Sequence, residues 1–221
     1  MRDATIVFDL DGTLVDTAPD LIDATNFALA GLRLPAVTGG QLRDWISFGA
    51  RRMLAEALAI HGRDLPEAEV DNLLGIFLDY YAGNIANRSR PYKGVLQALD
   101  ELQERGARLA ICTNKREELT LRLLDALGLT SRFAGIAGRD TFAVCKPHPD
   151  HLLGAIRLAA GQPERAIMIG DSATDVATAK AAGIPVIAVS FGYSDIPAAE
   201  LGADRVIDCH SQLITTIGQL L

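Results

Sequence analysis

Apolar residues along this chain follow two rhythms. Short unbroken runs ending in acids, glycine or other polar residues have the pattern of buried parallel strands meeting loops. They are ATIVFDLDG at 4–12, ARLAICTN at 107–114, AGIAG at 134–138, RAIMIGD at 165–171 and PVIAVSFG at 185–192, with RVID at 205–208 as a shorter last strand. Between them the spacing is helical. Residues 94–106 place Val95, Leu99 and Leu102 on one face and stop at Gly106; residues 116–128 repeat this with Leu119, Leu123 and Leu127 and stop at Gly128. An Ala-rich stretch over 172–183 closes at Gly183. The alternation predicts an α/β fold with a parallel sheet and right-handed crossovers.

Residues 15–92 break that rhythm. They predict helices near 19–32, 39–47, 50–62 and 66–88 and no strand. This is too long for a simple crossover, so the chain reads as two domains. A core domain takes residues 1–14 and 93–221, and a smaller all-helical domain, 15–92, is inserted through two linkers.

Composition narrows the function. Of 221 residues 49% are hydrophobic, enough to bury a full core. The formal net charge of −7 argues against a nucleic-acid partner, which clustered Lys and Arg would bind. It leaves room for a small anionic substrate in a locally positive cleft. No apolar run reaches the roughly 20 residues that span a bilayer, and the N-terminus lacks a signal-peptide pattern. With three cysteines, Cys112, Cys145 and Cys209, the expected setting is a reducing cytoplasm, and Cys112 and Cys145 read as buried filler. No membrane partner is expected, and the chain is expected to be a monomer or homodimer.

Ligands of open α/β sheets bind beyond the carboxyl ends of the strands. There the chain places Asp9, Asp11, Gly12 and Thr13 after the first strand and Thr113, Asn114 and Lys115 after the second. Lys146 follows in a loop, with Gly170, Asp171, Ser172 and Asp175 after the fourth strand. Converging carboxylates repel and cannot all stay ionised without a cation. All-oxygen ligation with room for water suits Mg²⁺ better than zinc. A carboxylate nucleophile, a hard cation, a lysine and neutral donors together suit phosphoryl transfer.

DLDGT at 9–13, Thr113-Asn114, Lys146 in KPHPD and GDSATD at 170–175 resemble, in order and spacing, the four motifs of the haloacid-dehalogenase (HAD) superfamily. The second Asp of DLDGT points to its phosphatase branch. GRDTFAVCKPHP, AKAAGIPVIAVSFGY and RPYKGV look like bacterial phosphoglycolate phosphatases with a helical cap after the first motif. The resemblance implies a Rossmann-like core and hydrolysis of a small phosphate monoester, 2-phosphoglycolate foremost. It implies Asp9 as the nucleophile that becomes a phospho-aspartate, and Asp11 as the acid and base. Mg²⁺ would be held by Asp9, Asp11 (through its main-chain carbonyl) and Asp171. Thr113 and Asn114 would bind the transferring oxygens, with Thr13 beside them, and Lys146 would bridge phosphoryl group and Asp9. Gly170, Ser172 and Asp175 would support these groups from behind, Asp175 orienting Lys146 or a metal-bound water.

Several of these residues also have plainer readings. Thr113 suits a helix N-cap before REEL, and Asp175 a helix N-terminus. His148 and His151 read as turn and helix-start residues, because no Cys or His cluster completes a zinc site. Trp45, Phe77, Tyr80 and Tyr81 read as core of the insert. Within the insert, Gly49, Arg51 and Arg52 near a helix start are candidates for a second anion on the substrate. Rival readings are a HAD phosphatase for a sugar phosphate or pyrophosphate, a β-phosphoglucomutase, and a phospho-accepting receiver-type signalling domain.

Overall fold

A computed structural model describes residues 1–221. In chain order the elements are β1 (Thr5–Phe8), β2 (Val15–Asp16), α1 (Ala18–Gly31), α2 (Gly39–Leu42), α3 (Ala50–Ile60), α4 (Glu67–Gly83), β3 (Arg90–Pro91), α5 (Val95–Glu104) and β4 (Arg108–Cys112). Then come α6 (Glu117–Ala126), β5 (Gly135–Ala137), α7 (Pro149–Leu158), β6 (Ala166–Gly170), α8 (Ala173–Ala181), β7 (Val186–Val189), β8 (Arg205–Ile207) and α9 (Leu213–Gly218). Six strands form one parallel sheet in the order β5-β4-β1-β6-β7-β8.

The central strands β1, β4, β6 and β7 are buried almost throughout because both faces of the sheet are covered, whereas the edge strand β8 exposes Arg205 and Val206. Ile6 and Phe8 of β1 join the larger apolar cluster, with Val95 and Leu99 of α5 and Leu213 of α9. Val7, between them, joins the smaller one with Leu152 of α7 and Val176 of α8. The chain leaves β1 toward β4 on one side and later returns to β6 on the other. The crevice of this topology therefore opens at the end of β1, where ligands of such sheets bind.

Helices α1 to α4 lie between β2 and β3, which pair antiparallel (Val15 with Pro91, Asp16 with Arg90). The two linkers thus form a ribbon, although a two-residue strand carries no readable periodicity. Asp20 ties the end of this insert to its first helix: its buried carboxylate accepts from Arg88 N at 3.0 Å, Ser89 N at 2.7 Å and Ser89 Oγ at 2.6 Å. Apolar residues of the insert, among them Leu54, Phe77 and Tyr81, belong to the same continuous cluster as β1 and β4.

Some expectations need correction. The helix expected over 66–88 ends at Gly83, and the chain turns back toward β2. The one expected over 39–47 is a single α-turn followed by a 3₁₀ segment, Arg43–Phe48, since Gly39 and Gly40 are poor helix formers. Leu127 is half-buried; Leu124 is the buried residue beside Leu123 in α6. Cys145 is half-buried rather than buried. No helix is long and apolar enough to cross a membrane.

Candidate active site

Three neighbouring strands deliver the central groups. Asp9 continues β1, its N–H donating to Ile169 O at 2.9 Å; Thr113 continues β4, donating to Ala137 O at 3.0 Å; Asp171 follows β6. A loop between β5 and α7 brings Lys146 among them. Its Nζ lies 3.0 Å from Asp9 Oδ1 and 2.6 Å from Asp175 Oδ1. The contact with Asp9 is one of charge without hydrogen-bond geometry, so this buried oxygen accepts no hydrogen bond.

Burial governs the electrostatics. It pushes the Asp9 carboxyl up to about 6, against the pull of Lys146 and with the push of Asp175 and Asp11. Asp171 is raised well above the usual carboxylate range by burial, then by Asp175 and Asp9. For Lys146 burial acts downward, but Asp175 and Asp9 hold the ammonium above its ordinary value. One buried cation therefore faces three buried carboxylates, whose oxygens lie within 4.8 Å of one another. A hard divalent cation with oxygen ligands fits this donor set, because it relieves the repulsion.

The surroundings leave little slack. Asp171 accepts from Thr13 Oγ1 at 3.0 Å and from Tyr193 N at 2.7 Å. Gly12 has φ +84°, and a Cβ there would stand 2.3 Å from Asp171 Oδ2, so only glycine fits. A Cβ on Gly170 would likewise meet the Asp175 side chain at 2.4 Å. Asp175 is held on both oxygens: Oδ1 accepts from Lys146, while Oδ2 accepts from Asp171 N, Ser172 N and Ser172 Oγ at the start of α8.

Asp11 is held differently. Thr17 Oγ1 donates to it at 2.7 Å, and Lys115 Nζ lies 3.1 and 3.3 Å from its two oxygens. Lys115 also donates to Tyr81 Oη at 2.7 Å, which joins α4 of the insert to the core. Tyr81 is thus buried core, as expected, and part of the site as well. Asn114 donates to Lys146 O at 3.0 Å and keeps a buried Oδ1 without a partner.

A cavity of about 410 Å³ lies between insert and core. Asp9, Asp11, Thr113, Asn114, Lys146 and Ser172 line it from the core, and Gly49 and Arg51 from the insert. Arg51 is half-exposed and paired with Asp71. Two expected substrate residues do not reach the cavity. Thr13 is fully buried with its hydroxyl on Asp171, and Arg52 pairs with Glu56 and lies over the Trp45 ring. Thr113 is not the α6 cap: that position is Arg116, and Thr113 Oγ1 accepts from Lys115 N at 3.3 Å.

Sequence reasoning assigned no role in the site to Lys115, Tyr193 or His151, which support it. Lys115 was visible at its strand end but had no predicted partner. Tyr193 accepts from Thr17 N and Ala18 N and donates to Asp16, tying the start of α1 to the Asp171 loop. His148 caps α7, its side chain accepting from Asp150 N. His151, by contrast, is fully buried: its Nδ1 accepts from Lys146 N at 3.2 Å and its Nε2 lies 2.9 Å from Gly138 O, so it braces the Lys146 loop.

The sequence is similar to known proteins along nearly its whole length. A phosphoglycolate phosphatase of Mesorhizobium japonicum is 51% identical, over 98% of this chain and 95% of its own. One of Agrobacterium fabrum is 45% identical, over 97% and 92%. A crystal structure described as a predicted phosphoglycolate phosphatase of Haemophilus somnus superposes with a TM-score of 0.90 at 30% identity, covering 98% of both chains. The model of the haloacid dehalogenase-like hydrolases matches residues 6–189, and the chain belongs to that family.

Proposed function

We propose that the chain hydrolyses 2-phosphoglycolate to glycolate and phosphate through a phospho-aspartate on Asp9. The observation that carries this is Asp9 itself. It lies in the cavity wall at the end of a central strand, with a buried oxygen free of hydrogen bonds, Lys146 at 3.0 Å and Asp11 two residues on. Residues 15–92 would act as a cap whose closure excludes water from the reaction.

In the first half-reaction an Asp9 oxygen bonds to phosphorus in line, the ester P–O bond breaks, and Asp11 gives its proton to the leaving alkoxide. In the second, Asp11 takes a proton from water as that water's oxygen attacks phosphorus. The bond to Asp9 then breaks and phosphate departs. Lys146 and the hydroxyl of Thr113 offset charge on the transferring oxygens. Asp9, Asp171 and the Asp11 main-chain carbonyl would hold Mg²⁺, which when bound supplies positive charge against these oxygens and the buried carboxylates.

Two results are expected. In a panel of phosphate esters, 2-phosphoglycolate should give the highest kcat/KM, above glucose 1-phosphate and pyrophosphate, and chelation of Mg²⁺ should stop turnover. A higher value for a sugar phosphate or pyrophosphate would replace the substrate reading. The second result concerns stability. Because the folded-state Asp9 is raised from about 3.9 to about 6, folded protein binds more protons than unfolded chain in that window. Metal-free protein should therefore lose stability as pH rises through it. Mg²⁺ should offset the repulsion, raising Tm more at pH 7.5 than at pH 5; equal shifts would contradict the ligand assignment.

A further inference from the structure

We propose that Lys115 reads the carboxylate of the substrate, which replaces Asp11 on its ammonium group and so releases Asp11 to the leaving oxygen. The proposal rests on the 2-phosphoglycolate reading above. The Lys115 side chain is only 6% exposed, yet it lines the cavity. Its ammonium touches two groups, the Asp11 carboxylate and the Tyr81 hydroxyl, and sits 4.5 Å from the centre of the Tyr81 ring.

A buried ammonium needs an anion, since an unpaired charge in that setting is costly. Asp11 supplies one only while it is ionised. In the first half-reaction Asp11 must instead carry the proton it gives to the leaving alkoxide. Lys115 then lacks a counter-charge at the step where ester cleavage occurs, and a substrate carboxylate would restore it. Both Asp11 oxygens lie within 3.3 Å of this buried ammonium, so the site is built around an anion.

The reach is right for this substrate class. In 2-phosphoglycolate one methylene separates the ester oxygen from the carboxylate. A group hydrogen-bonded by Asp11 at the ester oxygen therefore brings the carboxylate to the neighbourhood Lys115 already shares with Asp11. Lys115 donates to the Tyr81 oxygen, which leaves the phenol hydrogen for the same carboxylate. Other cations are less suited. Lys146 is committed to Asp9 and Asp175, Arg51 is half-exposed on Asp71, and Arg116 and Arg139 are exposed residues of the cavity wall.

The test compares 2-phosphoglycolate with 2-hydroxyethyl phosphate, which has a hydroxymethyl group in place of the carboxylate. The readout is the ratio of the two kcat/KM values, so that any loss common to both esters cancels. In Lys115→Met this ratio should fall roughly 10- to 100-fold relative to wild type, and Lys115→Arg should keep most of it. Should the Met variant fail to fold, Lys115→Gln is read in the same way. An unchanged ratio, with both esters slowed by the same factor, would overturn the proposal and leave Lys115 as a holder of Asp11. Wild-type enzyme with no preference for 2-phosphoglycolate would overturn the substrate reading, and this proposal with it.

Discussion

Asp9→Asn is expected to lower turnover of phosphate esters by at least about 10⁴-fold, because an amide oxygen is too weak a nucleophile to form the covalent intermediate. The loss should not be one of folding. Burial raises the Asp9 carboxyl to about 6, so the metal-free protein at neutral pH holds this charge at a cost that asparagine removes. Lys146 keeps Asp175 at 2.6 Å as its remaining partner. Metal-free Asp9→Asn at pH 7.5 should therefore melt no lower than wild type, while the Tm gain from Mg²⁺ shrinks. Thermal melts with and without Mg²⁺, beside steady-state rates, check both halves; a lower metal-free Tm would make the charge argument wrong.

Lys146→Met should damage stability and activity together. The lysine is the one cation in contact with both Asp9 and Asp175, and its side chain is 2% exposed. Removing it leaves two buried carboxylates unopposed, which costs about 3–5 kcal/mol when one partner of a buried pair is deleted. For a chain of this size that corresponds to a Tm lower by roughly 6–20 °C. Activity should fall by about 10²–10³-fold beyond any unfolding, since a preorganised charge at the transferring oxygens is lost. Because protonation of Asp9, whose carboxyl burial raises to about 6, relieves the repulsion, the Tm deficit should narrow as pH falls toward 5. A deficit independent of pH would show that Lys146 acts by packing rather than by charge.

The apolar runs revealed the sheet because its central strands are buried on both faces, which gives continuous runs such as IVF and IMI. The glycine stops at Gly106, Gly128 and Gly183 bounded three helices to within a few residues. Asp9, Asp171 and Lys146 were legible because parallel topology sends every strand's carboxyl end to one rim. Partnerships across distant segments were not. Lys115 meets Tyr81 only once the insert folds onto the core, and no local pattern encodes that contact. Thr13 sits inside the first motif, yet the turn at Gly12 aims its hydroxyl at Asp171 rather than at the cavity. Arg51 and Arg52 are adjacent, so helical geometry had to send them in different directions; which one faced the cavity depended on Asp71 and Trp45. The β2–β3 ribbon escaped notice because two residues are too few to show alternation.

The central claim is that phosphate passes through Asp9, and trapping tests it most directly. Enzyme with Mg²⁺ and 2-phosphoglycolate is quenched during turnover, reduced with borohydride, which converts an aspartyl phosphate to homoserine, and mapped by peptide mass spectrometry. The account predicts homoserine at position 9, dependent on substrate and absent from Asp9→Asn. Homoserine at another aspartate, or full turnover with residue 9 never modified, would contradict it.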